Sequence, residues 1–161
     1  MTKLDQETLR SLGPNVTIPS YDRSRLRPGI VHFGVGNFHR VHQALAVETC
    51  LHHSGNEGWA IVGVGLTDGL AARAKADAYR QQDNLYTVTE LRSPNPRQTQ
   101  VVGAMVEYLH APNSPEMVLA RLVDPATRIV SLTITEGGYN IDEVTGEFRL
   151  DTPEVREELA G

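Results

Sequence analysis

The run Ile30-Val31-His32-Phe33-Gly34-Val35-Gly36-Asn37-Phe38-His39-Arg40-Val41 decides the fold. Its first four residues are mostly apolar and stop abruptly at Gly34, which is the pattern of a buried strand feeding a tight turn. From Asn37 to about His53 the apolar positions Phe38, Val41, Ala44, Leu45, Val47 and Leu51 recur at 3–4 spacing and predict a helix. Ser54–Gly58 holds two glycines and reads as a turn. Trp59–Leu66 (WAIVGVGL) is apolar on both faces, as an interior strand of a parallel sheet must be. Strand, helix and strand make one βαβ unit.

The alternation continues beyond this unit. Asp68–Gln82 is alanine-rich and helix-prone. Leu85–Leu91 and Gln100–Val106 alternate as strands and predict a hairpin across the turn Arg92–Arg97. Ser114-Pro115-Glu116 supplies a capping hydroxyl, a first-turn proline and an early carboxylate, and so starts a helix that runs to about Val123. Arg128–Thr135 (RIVSLTIT) is a third core strand entering Glu136-Gly137-Gly138. Asn140–Gly161 is polar, with a short helix after Thr152-Pro153. The fold class is α/β, a doubly wound parallel sheet with an added antiparallel hairpin. Residues 1–28, with Leu4, Leu9 and Leu12 followed by Gly13-Pro14, read as an N-terminal arm, and the ordered core is expected over 29–161.

At 161 residues the chain is long enough for one domain with a real core. Twenty Asp and Glu against 15 Lys and Arg give a net charge of −5, which argues against a nucleic-acid or anionic-membrane binder. No run approaches the length of a membrane span, and the polar N-terminus is unlike a signal peptide. With Cys50 as the single cysteine there is no intrachain disulfide, and a reducing, cytoplasmic setting is expected.

Chemistry concentrates at Gly34-Val35-Gly36-Asn37-Phe38-His39-Arg40. Gly34 permits the turn and Gly36 lets a diphosphate approach the backbone. The N–H groups of the helix start favour an anion, and Arg40 adds a cation. His39 takes the place of the usual third glycine. The alternative is that both glycines merely serve a strand-to-helix turn. Asp68, just past the second strand, suits the adenosine ribose hydroxyls and would repel a 2′-phosphate, favouring NAD over NADP. It also suits a helix N-cap, and the two readings stand together. Glu136, at the end of the third core strand, is expected on the nicotinamide side. His39 and His42 lack a third partner for zinc. His32 reads as a hydrogen-bonded core residue and Cys50 as a buried, inert thiol.

IVHFGVGNFHRVHQA, WAIVGVGL and SLTITEGGY, in this order, resemble the N-terminal part of the long-chain polyol dehydrogenases, the mannitol dehydrogenase family, which also holds fructuronate and tagaturonate reductases and arabinitol dehydrogenase. The resemblance runs from about Leu9 to Glu158, and Val16–Tyr21 (VTIPSY) is most similar to the mannitol-oxidising branch. It implies a partial Rossmann-type sheet and metal-independent, NAD-dependent oxidation of a polyol secondary alcohol, mannitol to fructose. It also implies that Gly34, Gly36, Asn37, Phe38 and Arg40 form the cofactor loop, with Asp68 as the ribose acid. The small-molecule partner would be a polyol or keto-sugar. The family's proton-abstracting lysine lies in a helical domain beyond the point where this chain stops, and Lys3 and Lys75 match no such motif. No catalytic residue is therefore assigned, and the chain alone is expected to be inactive. A second reading is a non-enzymatic dinucleotide- or partner-binding module that complements a separate catalytic chain. The strand Ile30–Phe33 is expected to leave one edge uncovered, open to pairing with another chain.

Overall fold

A computed structural model describes residues 3–91, 97–134, 139–142 and 144–160. Along the chain run β1 (Val16–Thr17), β2 (Pro28–Phe33), α1 (Asn37–Val41), α2 (Gln43–Leu51), β3 (Ala60–Gly65), α3 (Leu70–Gln81), β4 (Tyr86–Glu90), β5 (Gln98–Val102), β6 (Met105–His110), α4 (Pro115–Leu122), β7 (Ile129–Leu132) and α5 (Pro153–Ala160). One sheet has the order β6-β3-β2-β7 with every pair parallel. In chain order these are its third, second, first and fourth strands, so the winding reverses between β2 and β7. Ligands of open α/β sheets sit outside the carboxyl ends of the strands at such a reversal.

Strand alternation sorts the core into two layers. Ile30 and Ile61 share one cluster with Ala44 and Leu51 of α2, Tyr79 of α3 and Met105. Val31, Val62 and Val64 pack on the opposite side with Leu109 and Val118 of α4. Each such aliphatic side chain contributes about 1.5–3 kcal/mol by leaving water. A smaller sheet, β1-β5-β4, pairs β4 with β5 antiparallel and β5 with β1 parallel. The arm packs on this second sheet: Leu9 is buried with Leu85 and Val101. The Tyr21 hydroxyl donates to buried Glu48 at 2.6 Å, and the Gly103 N–H donates to the same carboxylate oxygen at 2.7 Å.

Several expectations are corrected. The predicted helix over 37–53 is two helices, because His42 adopts φ −118° and ψ −80° and breaks the run. The hairpin partner of β4 is β5, not 100–106. The chain leaves that sheet at Gly103-Ala104 and enters the parallel sheet as β6, a strand merged with the hairpin in the sequence reading. Ser114 does occupy the N-cap of α4, but its hydroxyl makes no capping bond. Cys50 is exposed, since α2 turns Ala44, Glu48 and Leu51 inward. The uncovered edge is not on β2, which pairs with β3 and with β7. Among the described residues the outer strands of this sheet are β6 and β7, and on β7 Ile129, Val130 and Leu132 are all exposed. No helix among the described residues is long and apolar enough to cross a membrane.

Candidate functional site

The carboxyl ends of β2 and β7 meet at the reversal, and Gly34 stands between them. It adopts φ +88°, and a Cβ there would lie 3.1 Å from the Thr133 carbonyl oxygen. Both facts require glycine. The Gly34 N–H donates to the Val64 carbonyl at 2.9 Å, and the Gly36 N–H turns back to the Gly34 carbonyl at 2.7 Å. Gly36 caps α1 in an extended conformation, and the nearest atom to a Cβ built there is 3.9 Å away. The approach to the backbone is therefore open. The first intrahelical bond runs from the Arg40 N–H to the Gly36 carbonyl, leaving the earlier N–H groups of the turn without intrahelical acceptors. Asn37 and Phe38 are exposed at this start, with the Phe38 ring 4.6 Å from that of His42.

A buried polar cluster supports the loop from beneath. His32 and His39 stack with ring centroids 3.7 Å apart, and both are almost fully buried. One His32 ring nitrogen contacts Ser131 Oγ at 2.9 Å. The other contacts Thr133 Oγ1 at 3.1 Å and the Gly34 carbonyl at 3.3 Å. His39 Nδ1 meets Gln43 Oε1 at 3.0 Å, and the Gln43 amide donates to Ser131 at 3.0 Å. The glycine loop, α1 and the end of β7 are thus joined by one network. Burial, aided by the neighbouring His32, pulls the His39 pKa down to about 4, so the pair stays neutral at ordinary pH. His32 is the hydrogen-bonded core residue expected from the sequence.

Arg40 does not extend freely from the loop. Its guanidinium lies 4.5 Å over the Tyr86 ring, and the Tyr86 hydroxyl donates to the Arg40 carbonyl at 3.0 Å. The cation that reaches the loop is Lys75 of α3, whose ammonium donates to the Val35 carbonyl. Sequence reasoning passed it over. The available signal was its spacing of four from buried Tyr79, which sets Lys75, itself exposed, at the margin of the same face of α3. Desolvation and the nearby Arg40 hold the Lys75 pKa below the ordinary lysine value.

Asp68 lies three residues beyond β3 and is exposed. It accepts from the Gly69 N–H at 2.6 Å and pairs with Arg73 at 3.1 Å, which keep its carboxyl below the usual range. The N-cap of α3 is Gly69, not Asp68, because φ +108° at the cap demands glycine. Asp68 is thus left with an exposed carboxylate at the carboxyl end of β3. Glu136 lies outside the described residues. Among the described residues no group of three or more His, Cys, Asp or Glu is placed to hold a metal. A groove of about 1150 Å³ lies away from the loop between Val41, Leu45 and the second sheet. It is open and lined with no buried charged group, so the glycine loop at the sheet reversal is the better-built site.

The comparisons agree with this geometry. A family profile described as the mannitol dehydrogenase Rossmann domain matches residues 28–160. A Gluconobacter oxydans protein named polyol:NADP oxidoreductase is 52% identical over 97% of the chain, and a Pyrenophora tritici-repentis mannitol 2-dehydrogenase is 44% identical over 99%. The solved ternary complex of Pseudomonas fluorescens mannitol 2-dehydrogenase with NAD and D-mannitol superposes with a TM-score of 0.87 at 39% identity, covering 99% of this chain. The chain spans 32% of the length of the first of these relatives, 27% of the second and 32% of the solved chain.

Proposed function

Since the chain belongs to the mannitol dehydrogenase family and carries its Rossmann domain, we propose that it binds NAD at the β2/β7 reversal, as the cofactor-binding part of a polyol dehydrogenase. The observation that carries this reading is the open backbone at Gly36, where a helix begins beside the point at which the sheet reverses. The N–H groups of Asn37 and Phe38 would hold the diphosphate, and Asp68 the adenosine ribose. The nicotinamide would then lie toward Thr133 and the Glu136 segment. Bound NAD supplies the hydride acceptor. This chain's own residues bind and orient it. For the whole protein the reaction read from the family is oxidation of mannitol to fructose.

NAD is preferred over NADP because the Asp68 carboxylate would repel a 2′-phosphate. Calorimetric titration with NADH and NADPH tests both parts of the reading. NADH is expected to bind saturably, and Gly36→Val to weaken it at least about tenfold, or about 1.4 kcal/mol, by filling the open approach. NADPH is expected to bind more weakly. A cooperatively folded chain that ignores NADH would refute the reading. NADPH binding as tight as NADH would instead assign Arg73, now paired with Asp68, to the 2′-phosphate.

The exposed apolar residues on β7 favour a second element of the proposal: its outer edge receives a further strand from the rest of a longer dehydrogenase. A separately produced remainder of a homologous enzyme should then restore NADH-dependent fructose reduction when mixed with the chain. Failure of the two to associate at micromolar concentration would count against it.

A further inference from the structure

We propose that Lys75 is a positioning residue for the cofactor's diphosphate, acting through the peptide unit Val35–Gly36. The inference rests on the reading of the glycine loop as the NAD site and adds a residue from another element to it.

The observation is a peptide held at both ends. Its carbonyl, on Val35, accepts from the Lys75 ammonium across 40 residues of sequence. Its N–H, on Gly36, donates to the Gly34 carbonyl at 2.7 Å. Glycine on one side leaves this peptide intrinsically free to rotate, and the open space around Gly36 offers no steric stop. Val35 itself is anchored, being buried with Ile61 and Met105. The plane of the peptide decides where the next backbone N–H groups point. Rotation would also swing the carbonyl oxygen away from α3, where its negative end would oppose an incoming diphosphate. Lys75 removes that freedom before the anion arrives, so less ordering remains to be done on binding.

Two further facts favour a specific role over incidental contact. Among the described residues no carboxylate lies within ion-pair distance of Lys75, although six carboxylate pairs with Arg or His form elsewhere among them. The nearby charged group is Arg40, another cation. A partly desolvated ammonium beside a second cation is not placed there for its ion-pair energy. One of its three donors is given to the loop.

The test is NADH titration of the chain and of K75M, K75Q and K75R at about 0.05 M and about 0.5 M salt, with thermal unfolding recorded for each. At the higher salt the screening length falls well below the 10 Å of about 0.1 M. K75M and K75Q are expected to weaken NADH binding about tenfold at both salt concentrations with little change in Tm. K75R, which can still reach the carbonyl, should stay within about threefold of the parent. Unaltered NADH affinity in K75M and K75Q would overturn the proposal. So would a loss seen only at low salt, which would mark a screened charge effect instead of a held peptide. A loss matched by a large fall in Tm in K75M, K75Q and K75R alike would make Lys75 merely structural and also refute it. If the parent chain itself binds no NADH, the reading of the site fails and the inference falls with it.

Discussion

Between pH 6.5 and pH 4 the folded chain is expected to lose about 3 kcal/mol of stability through His39 alone. The imidazole is 1% exposed, stacked on His32, with its pKa lowered from 6.5 to about 4. A depressed folded-state pKa means that the unfolded chain takes up the proton first. The stabilisation is therefore complete above pH 6.5 and is lost progressively as the pH falls through the folded-state value. His32, also lowered by burial, slopes the same way. Glu48 slopes oppositely, because burial raises its pKa and its folded form favours the proton. Urea unfolding of the chain and of His39→Phe across this range isolates the contribution. Phenylalanine keeps the stack but cannot titrate, so the difference in stability between the two should shrink by about 3 kcal/mol on acidification. Parallel pH curves would show that His39 is not desolvated as described.

Gly29→Ala is expected to cost about 3 kcal/mol or more and to lower Tm by about 10 °C. A Cβ at Gly29 would fall well inside contact distance of the Gly58 carbonyl oxygen and stand 3.4 Å from Trp59 Cα. The obstacle is backbone, which has no rotamer by which to move aside. The register between β2 and β3 slips at this point, between Pro28 and Ile30, and the Arg128 N–H donates to the Gly29 carbonyl at 2.9 Å. A shift would therefore disturb both neighbours of β2. Gly13→Ala is the control: nothing lies within 4 Å of that position, and its stability should stay within about 0.5 kcal/mol of the parent. Differential scanning calorimetry of the two variants decides it. A mild Gly29→Ala would mean that the approach of residue 58 to β2 is looser than described.

The glycine loop was legible in the sequence because its signals are local: an apolar run, a glycine that must turn, and a helical stripe beginning three residues later. The two strands around it follow from apolar character alone. What escaped depends on contacts between distant segments. Gln100–Val106 reads as one strand, and nothing local shows that Gly103-Ala104 is where the chain passes between sheets. Arg23 marks that crossing in space by donating to the Gly103 carbonyl at 3.1 Å. The exposure of Cys50 was hidden by the apolar look of α2, whose inward face is in fact shared with the carboxylate of Glu48. Lys75 was invisible because its partner is a carbonyl, and carbonyls carry no letter in a sequence. Asp68 follows β3, as its place after the apolar run WAIVGVGL implies, while the capping duty assigned to it falls one residue later on Gly69.

The parallel sheet also sets an order of events for a growing chain. β2 is synthesised almost a hundred residues before Ser131, the β7 residue that bonds His32. Through that interval one flank of β2 has no strand to receive it, and the histidine network beneath the glycine loop lacks its far wall. Closing so long a stretch carries an entropic cost that grows with its length, and parallel pairings of this kind are slow to form. The loop can therefore reach its final shape only late in folding, after β7 has docked. A nascent chain would hold hydrophobic strands at risk of mispairing until then, which makes the reversal of the sheet both the proposed cofactor site and a part of the fold that closes late.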